Sequence, residues 1–437
     1  MGLVINSCPG VIFWALMPTS AASQPSQVKA APSIAHSEMY WPQLDGLRTV
    51  AFLLVLMHHL GPLTASNSPT LPLRLWTMNS ICSWGGSGVD LFFCLSGFLI
   101  TFLLLSEKRD FGNISFKLFF MRRALRIWPV YYFLLFIGCA LIPAMNWSHL
   151  NHKLYGEFCL KQVLPMVLFL GNYSLIIATK ILVNFNTNLG VPIIYFLLPL
   201  WSLAVEEQFY LTWPFVLKAL KKPKTILTVI ASLALLSVVC RFGLWYISRY
   251  IWHLPFPVAL YYQTTISHLD PLMAGAGVAA ITFYYPQILE GAKKYSPHMM
   301  LVLAGLVASI FCYFPDLKYN TYYNVAVFAV IALACFLTLT ITLVSPTWKK
   351  IFGWGPMAAF GRLTYAMYLV HYFAIAIGDG LIARIPPSFT ALAPSWPLRF
   401  AVSLTLTFAF AFLSWHLLER KFQKLRKHFR RHASAAA

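Results

Sequence analysis

The chain has 437 residues, of which 59% are hydrophobic and 11% charged, and its mean hydropathy is +0.68. A polar shell cannot be built from that composition, so a water-soluble globule is excluded and an all-α polytopic membrane protein is expected. The net charge of +20 invites a nucleic-acid reading, but Lys and Arg accumulate in the cytoplasmic loops of membrane proteins, and that explanation comes first.

In chain order, residues 1–40 read as a partly disordered extension. Its apolar patch at Val11–Met17 has no Lys or Arg before Lys29, so it lacks the basic flank of a signal peptide, and Ser20–Ser37 has linker composition. Apolar stretches long enough to span begin near residues 49, 87, 124, 203, 225, 264, 299, 325, 364 and 399. They predict about ten transmembrane helices within a domain of residues 41–424. Residues 161–180, short and broken by Pro165 and Gly171, read as re-entrant or lying flat. Segments 1–48, 106–126, 218–224, 286–298, 346–362 and 420–437, all assigned to one side, hold 24 of the 33 Lys and Arg. Both termini are therefore expected in the cytoplasm, with residues 425–437 a basic tail, and nucleic acid is not needed as a partner. The eight cysteines are scattered without a CxxC, so neither a metal site nor a disulfide framework is indicated; Cys82, Cys159 and Cys312 are not paired by spacing.

The chemistry-bearing residues lie inside or at the ends of these runs, where ionisable groups are costly enough to mark a site. Arg48 and His59 are eleven residues apart on the first helix, roughly 16 Å along its axis and nearly on one face. Asp90 opens the second helix; it either orients His59 as a carboxylate partner or caps a helix near water. Arg122, Arg123 and Arg126 suit recognition of several phosphates, or ordinary positive-inside anchoring to lipid headgroups. Glu206 and Glu207 adjoin in Trp201-Ser202-Leu-Ala-Val-Glu206-Glu207, and Asp270 adds a further carboxylate. His371, deeper on an outward-running helix, is a packing histidine or a supporting one.

The ordered motifs LDGLR (44–48) with His59, GVDLFF and LSGFLIT (88–101), RR and LRI with Pro129 and Tyr131-Tyr132, WSLAVEEQFYL (201–211), LDPLMAG (269–275), FGRLTYAMYLVH (360–371) and LLERKF (417–422) together resemble the membrane-bound acyltransferase 3 family. The likeness runs from about Leu44 to about Phe422. It implies a multi-pass enzyme of the bacterial inner membrane that carries an acyl group, most often acetyl from cytoplasmic acetyl-CoA, to a hydroxyl of a surface carbohydrate or glycolipid. It also implies an essential His59 in an Arg48–His59 pair, a donor-binding role for Arg122, Arg123 and Arg126, and a place for Trp201, Ser202 and Glu206 in the site. Two positions depart from the family pattern: His268 stands where an arginine is usual, and Lys421 where a proline is usual. His58 has no family counterpart and faces about 100° away from His59.

The combined expectation is that acyl-CoA binds through Arg48 and Arg122–Arg126, and that His59, oriented by Asp90 or Glu206, acts as general base on the acceptor. An acyl-histidine route is equally compatible with the spacing. Trp201, Ser202, Glu207, Asp270 and His371 are candidates to bind the acceptor or support the site. No fused soluble domain or internal repeat is visible, so direct transfer or a separate extracytoplasmic partner is expected. The competing class is a transporter that uses the same His, Asp and Glu as a proton relay. A further reading is a non-catalytic binder of a lipid-linked sugar.

Overall fold

The computed structural model describes residues 40–61, 73–149, 151–177, 184, 197–253, 257–313, 322–385 and 396–429, which fall in one compact unit. The expected N-terminal extension up to residue 39, residues 178–180 of the broken segment, and residues 430–437 of the basic tail lie outside them.

Every described element is helical. Ten helices of 15 residues or more occupy the predicted apolar runs: α1 (Pro42–Leu60), α3 (Ser87–Phe111), α4 (Phe116–Phe136), α5 (Leu200–Ala219), α6 (Pro223–Tyr246), α7 (Asp270–Tyr284), α8 (Ser296–Tyr313), α9 (Tyr322–Val344), α10 (Thr364–Ile382) and α11 (Trp396–Ser414). A shorter α2 (Leu73–Trp84) leads into α3, and α12 (Arg420–Arg426) follows α11. Local signals set the ends. Pro42 and Pro223 stand in the first turns of α1 and α6, where a missing N–H costs nothing, and Gly61 and Gly112 end α1 and α3 with positive φ.

Among the described residues, seven segments are long and apolar enough to cross a membrane by length and composition. Helices α1, α5 and α7 are not among them. These carry Asp45, Arg48 and the two histidines, the paired glutamates, and Asp270, and more than half of each helix is buried. Polar side chains inside a bilayer must face protein, so the helices that look least like membrane spans form the centre. The outer ring is the more typical membrane sequence: only 11% of the apolar window of Pro286–Phe311 is buried, against 78% of that of Ser87–Phe111.

Helix α3 is the hub. It runs antiparallel to α1, with Gly85 against Leu54 and Gly88 against Ala51, and parallel to α7, where Gly97 meets Leu272. Trp213 of α5 donates to Thr101 of α3 at 2.8 Å. The segment with Pro165 and Gly171 is broken as expected: helical pieces span His152–Val167, and the chain turns at Phe169, whose φ is 55°, before Gly171–Ile177. Cys82 and Cys159 are free thiols.

Candidate active site

The C-terminal end of α1 presents His58 and His59 side by side, with ring centroids 5.0 Å apart, and the two rings take different partners. His58 Nδ1 meets the carbonyl of Cys82 at 2.8 Å. His59 Nδ1 meets Nε2 of His371 at 3.0 Å, and His371 Nδ1 meets the carbonyl of Tyr368 at 2.5 Å. His371 is buried, whereas His59 is half-buried and also packs on Tyr372, with centroids 4.2 Å apart.

The expected pairing of His59 with Asp90 or Glu206 is therefore corrected. Because α3 descends antiparallel to α1 with Gly88 already at Ala51, Asp90 lies on the Arg48 side of Ala51, out of reach of His59. Its carboxylate instead accepts from His268 Nε2 at 2.8 Å, and His268 Nδ1 meets the Tyr262 carbonyl. Glu206 is likewise at the other end of the site, accepting from Ser96 at 2.7 Å and from Tyr210 at 3.0 Å. One turn earlier on α5, Ser202 and Tyr368 share a hydroxyl–hydroxyl bond of 2.7 Å.

These contacts form a polar track through the centre of the fold. From His59 it passes to His371 and Tyr368 on α10, crosses to Ser202, and follows α5 to Glu206 and Tyr210. Arg48 and Arg126 both lie within electrostatic reach of Glu206, and Arg126 also of Arg48 and Arg123.

The arginines differ in what they already hold. Arg48 is paired with Asp45 on its own helix. Arg122 is committed, with one nitrogen on Glu107 and another on the Phe429 carbonyl, each at 3.0 Å, so it straps the C-terminal segment to α4. Arg126 makes no hydrogen bond or ion pair among the described residues, and Arg123 has only its contacts with the rings of Phe119 and Tyr210. Among the described residues of this cluster, Arg123 and Arg126 are thus the two without a polar partner. Arg426 of α12 stands close to Arg123.

Two of the supporting candidates are buried. Trp201 packs against Phe93, Tyr262 and His268, and Asp270 forms an ion pair with Arg241 while accepting from Ser237 at 3.0 Å. Glu207 accepts from the exposed Trp128 at 3.4 Å. Arg241, Tyr368, Tyr210 and Ser96 are the participants that motif reading missed. Arg241 did carry a signal, as an isolated cation within the apolar run of α6; Tyr368 sits three residues before His371, on the same helical face.

A membrane bundle whose central helices hold a His pair, a carboxylate and an arginine cluster on one track defines the class of integral membrane group-transfer domains. The chain belongs to the acyltransferase 3 family: the acyltransferase domain matches residues 41–416. Among its relatives, a peptidoglycan O-acetyltransferase (OatA) of Listeria monocytogenes is 28% identical over 407 residues, covering 89% of this chain and 57% of that protein. A Bacillus subtilis protein provisionally named a peptidoglycan O-acetyltransferase (YrhL) is 26% identical, covering 87% and 54%. A Staphylococcus aureus protein provisionally named an O-acetyltransferase (SAS0844) is 27% identical, covering 88% and 58%. The chain thus spans somewhat over half the length of these relatives. No solved structure matches it.

Proposed function

We propose that the protein is a membrane-bound O-acyltransferase that moves an acyl group, with acetyl-CoA as donor, to a hydroxyl of a cell-envelope carbohydrate or glycolipid, peptidoglycan being the acceptor in the names of two of its relatives. The observation that carries this reading is the polar track joining two uncommitted arginines to a half-buried histidine across the bundle. In this scheme the donor phosphates meet Arg123 and Arg126 at the cytoplasmic mouth, with Arg48 beside them. The extended pantetheine arm follows the track, and the thioester reaches His59. The distance along α1 from Arg48 to His59, roughly 16 Å, is a span such an arm covers.

His59 then takes the proton of the acceptor hydroxyl as the oxygen attacks the thioester carbonyl. The C–O bond forms, the C–S bond breaks, and the proton is returned to the departing thiolate. The protein would lie in a bacterial inner membrane with both termini cytoplasmic, acting on its acceptor directly or through a separate extracytoplasmic partner.

Detergent-purified protein incubated with radiolabelled acetyl-CoA, with and without a soluble peptidoglycan fragment, tests this. Release of CoA that depends on His59, compared with the His59→Ala variant, supports it. Label left on the protein without acceptor would identify an acyl-enzyme route. Binding of donor with no thioester consumption in the presence of acceptor would overturn the reading.

A further inference from the structure

We propose that His371 is a positioning residue that fixes the tautomer of His59 and leaves Nε2 of His59 as its basic nitrogen. This rests on the acyl-transfer reading above for its consequence, but not for its geometry. The Tyr368 carbonyl can only accept, so the Nδ1 that meets it at 2.5 Å carries the hydrogen. His371 is 1% exposed, and its ring is surrounded by those of Phe52, His59, Tyr368 and Tyr372, with no carboxylate of the described residues in contact. An imidazolium there would be a buried charge without a counter-ion, so the ring is neutral and its Nε2 is bare. A bare nitrogen can only accept. Across the 3.0 Å contact, His59 Nδ1 is therefore the donor, and the neutral His59 ring keeps its lone pair on Nε2.

The arrangement performs with a histidine what a carboxylate does in hydrolase triads, where the partner holds the base in one tautomer and orientation. It differs in charge. When His59 Nε2 takes the acceptor proton, the new cation is spread toward a neutral ring whose far side rests on a carbonyl dipole. The positive charge stays on His59, whose Nδ1–H remains on His371 Nε2, and the proton taken at His59 Nε2 is returned from there to the departing thiolate, so none is consumed. His371 touches neither donor nor acceptor in this scheme.

Three variants separate positioning from packing. His371→Gln keeps an acceptor near the place of Nε2, His371→Leu keeps apolar volume without one, and His59→Ala/His371→Leu removes both rings. Expected results are a kcat roughly 100-fold lower in His371→Leu, with KM for acetyl-CoA unchanged, most of the rate restored in His371→Gln, and a double variant no slower than His59→Ala. Full activity in the Leu variant, or equal losses in Leu and Gln with both eluting as folded protein, would overturn the proposal.

A readout without turnover is the ¹⁵N spectrum of histidine-labelled protein, with the His59 signals assigned from the His59→Ala spectrum. The Nδ1–H form is expected in wild type and in His371→Gln, with a shift toward the Nε2–H form in His371→Leu. An Nε2–H form in wild type would overturn the proposal whatever the activity. The Nδ1–H form in a protein that transfers no acyl group would support the tautomer assignment and overturn the acyl-transfer reading instead.

Discussion

A Cβ added to Gly275 would stand 1.8 Å from the carbonyl oxygen of Cys94, so α7 and α3 meet backbone to backbone. The contact is reciprocal, since a Cβ on Gly97 would stand 2.0 Å from the carbonyl oxygen of Leu272. Both partners are main chain and cannot rotate aside. Gly275→Ala is therefore expected to force the seam apart and cost at least the ~1–3 kcal/mol of an overpacked core. Gly277→Ala, on the same helix, meets only an Ile230 methyl at 3.7 Å and should be tolerated. Thermal unfolding in detergent, followed by fluorescence, measures both; equal melting temperatures for the two variants would contradict the packing described.

The ion pair of Arg241 with Asp270 lies almost wholly out of solvent, at 1% and 5% side-chain exposure. Removing one partner leaves a charge in a medium that cannot solvate it, so Asp270→Asn should destabilise by about 3–5 kcal/mol. Asp270→Asn combined with Arg241→Met removes both charges and should recover most of that loss. A double variant as unstable as the single one would show that the pair contributes by shape and not by charge.

Arg122 and Arg126 share a helical face but are expected to fail in different ways. Arg126→Ala removes an uncommitted guanidinium and should weaken acetyl-CoA binding roughly tenfold or more, the scale of a hydrogen bond to a charged group, with little change in melting temperature. Arg122→Ala strips the buried Glu107 of its ion pair and releases Phe429. It should lower stability by about 1–3 kcal/mol and leave donor affinity near wild type. Isothermal titration with acetyl-CoA, alongside thermal melting, tests the split.

The Tyr368 backbone and side chain are expected to matter unequally. Its carbonyl holds His371, while its hydroxyl bonds Ser202, which also reaches the Pro199 carbonyl at 3.2 Å. Tyr368→Phe should thus cost about 1 kcal/mol of stability and reduce kcat by less than tenfold. A collapse of kcat equal to that of His59→Ala would show that the hydroxyl acts in the chemistry itself.

The long helices were legible as apolar runs, seven of them by length and apolarity alone among the described residues, and α1, α5 and α7 as runs interrupted by polar groups. The candidate residues were legible for the opposite reason: Arg48, His59, Glu206 and Asp270 stand out where charge is costly. Their pairing was not. That His59 meets His371 and no carboxylate of the described residues depends on how far α3 descends beside α1, a register set by close glycine contacts between helices that no periodicity encodes. For the same reason Arg122 and Arg126, indistinguishable as members of one basic motif, divide into a structural strap and a free cation only once the C-terminal segment is seen to return to α4.

Helix α1 is gripped on several sides by main-chain contacts: Gly46 against Phe352, Gly361 against Asp45, and Gly88 against Ala51, each with no room for a side chain. Thr49 adds a 2.8 Å bond to the carbonyl of Met357. A rod held in this way can neither slide nor turn, so the spacing of Arg48 from His59 acts as a fixed ruler. The grip is weaker at the periphery, where α8 presents most of its surface outward, whereas α6 is tied to α7 through Arg241 and Asp270.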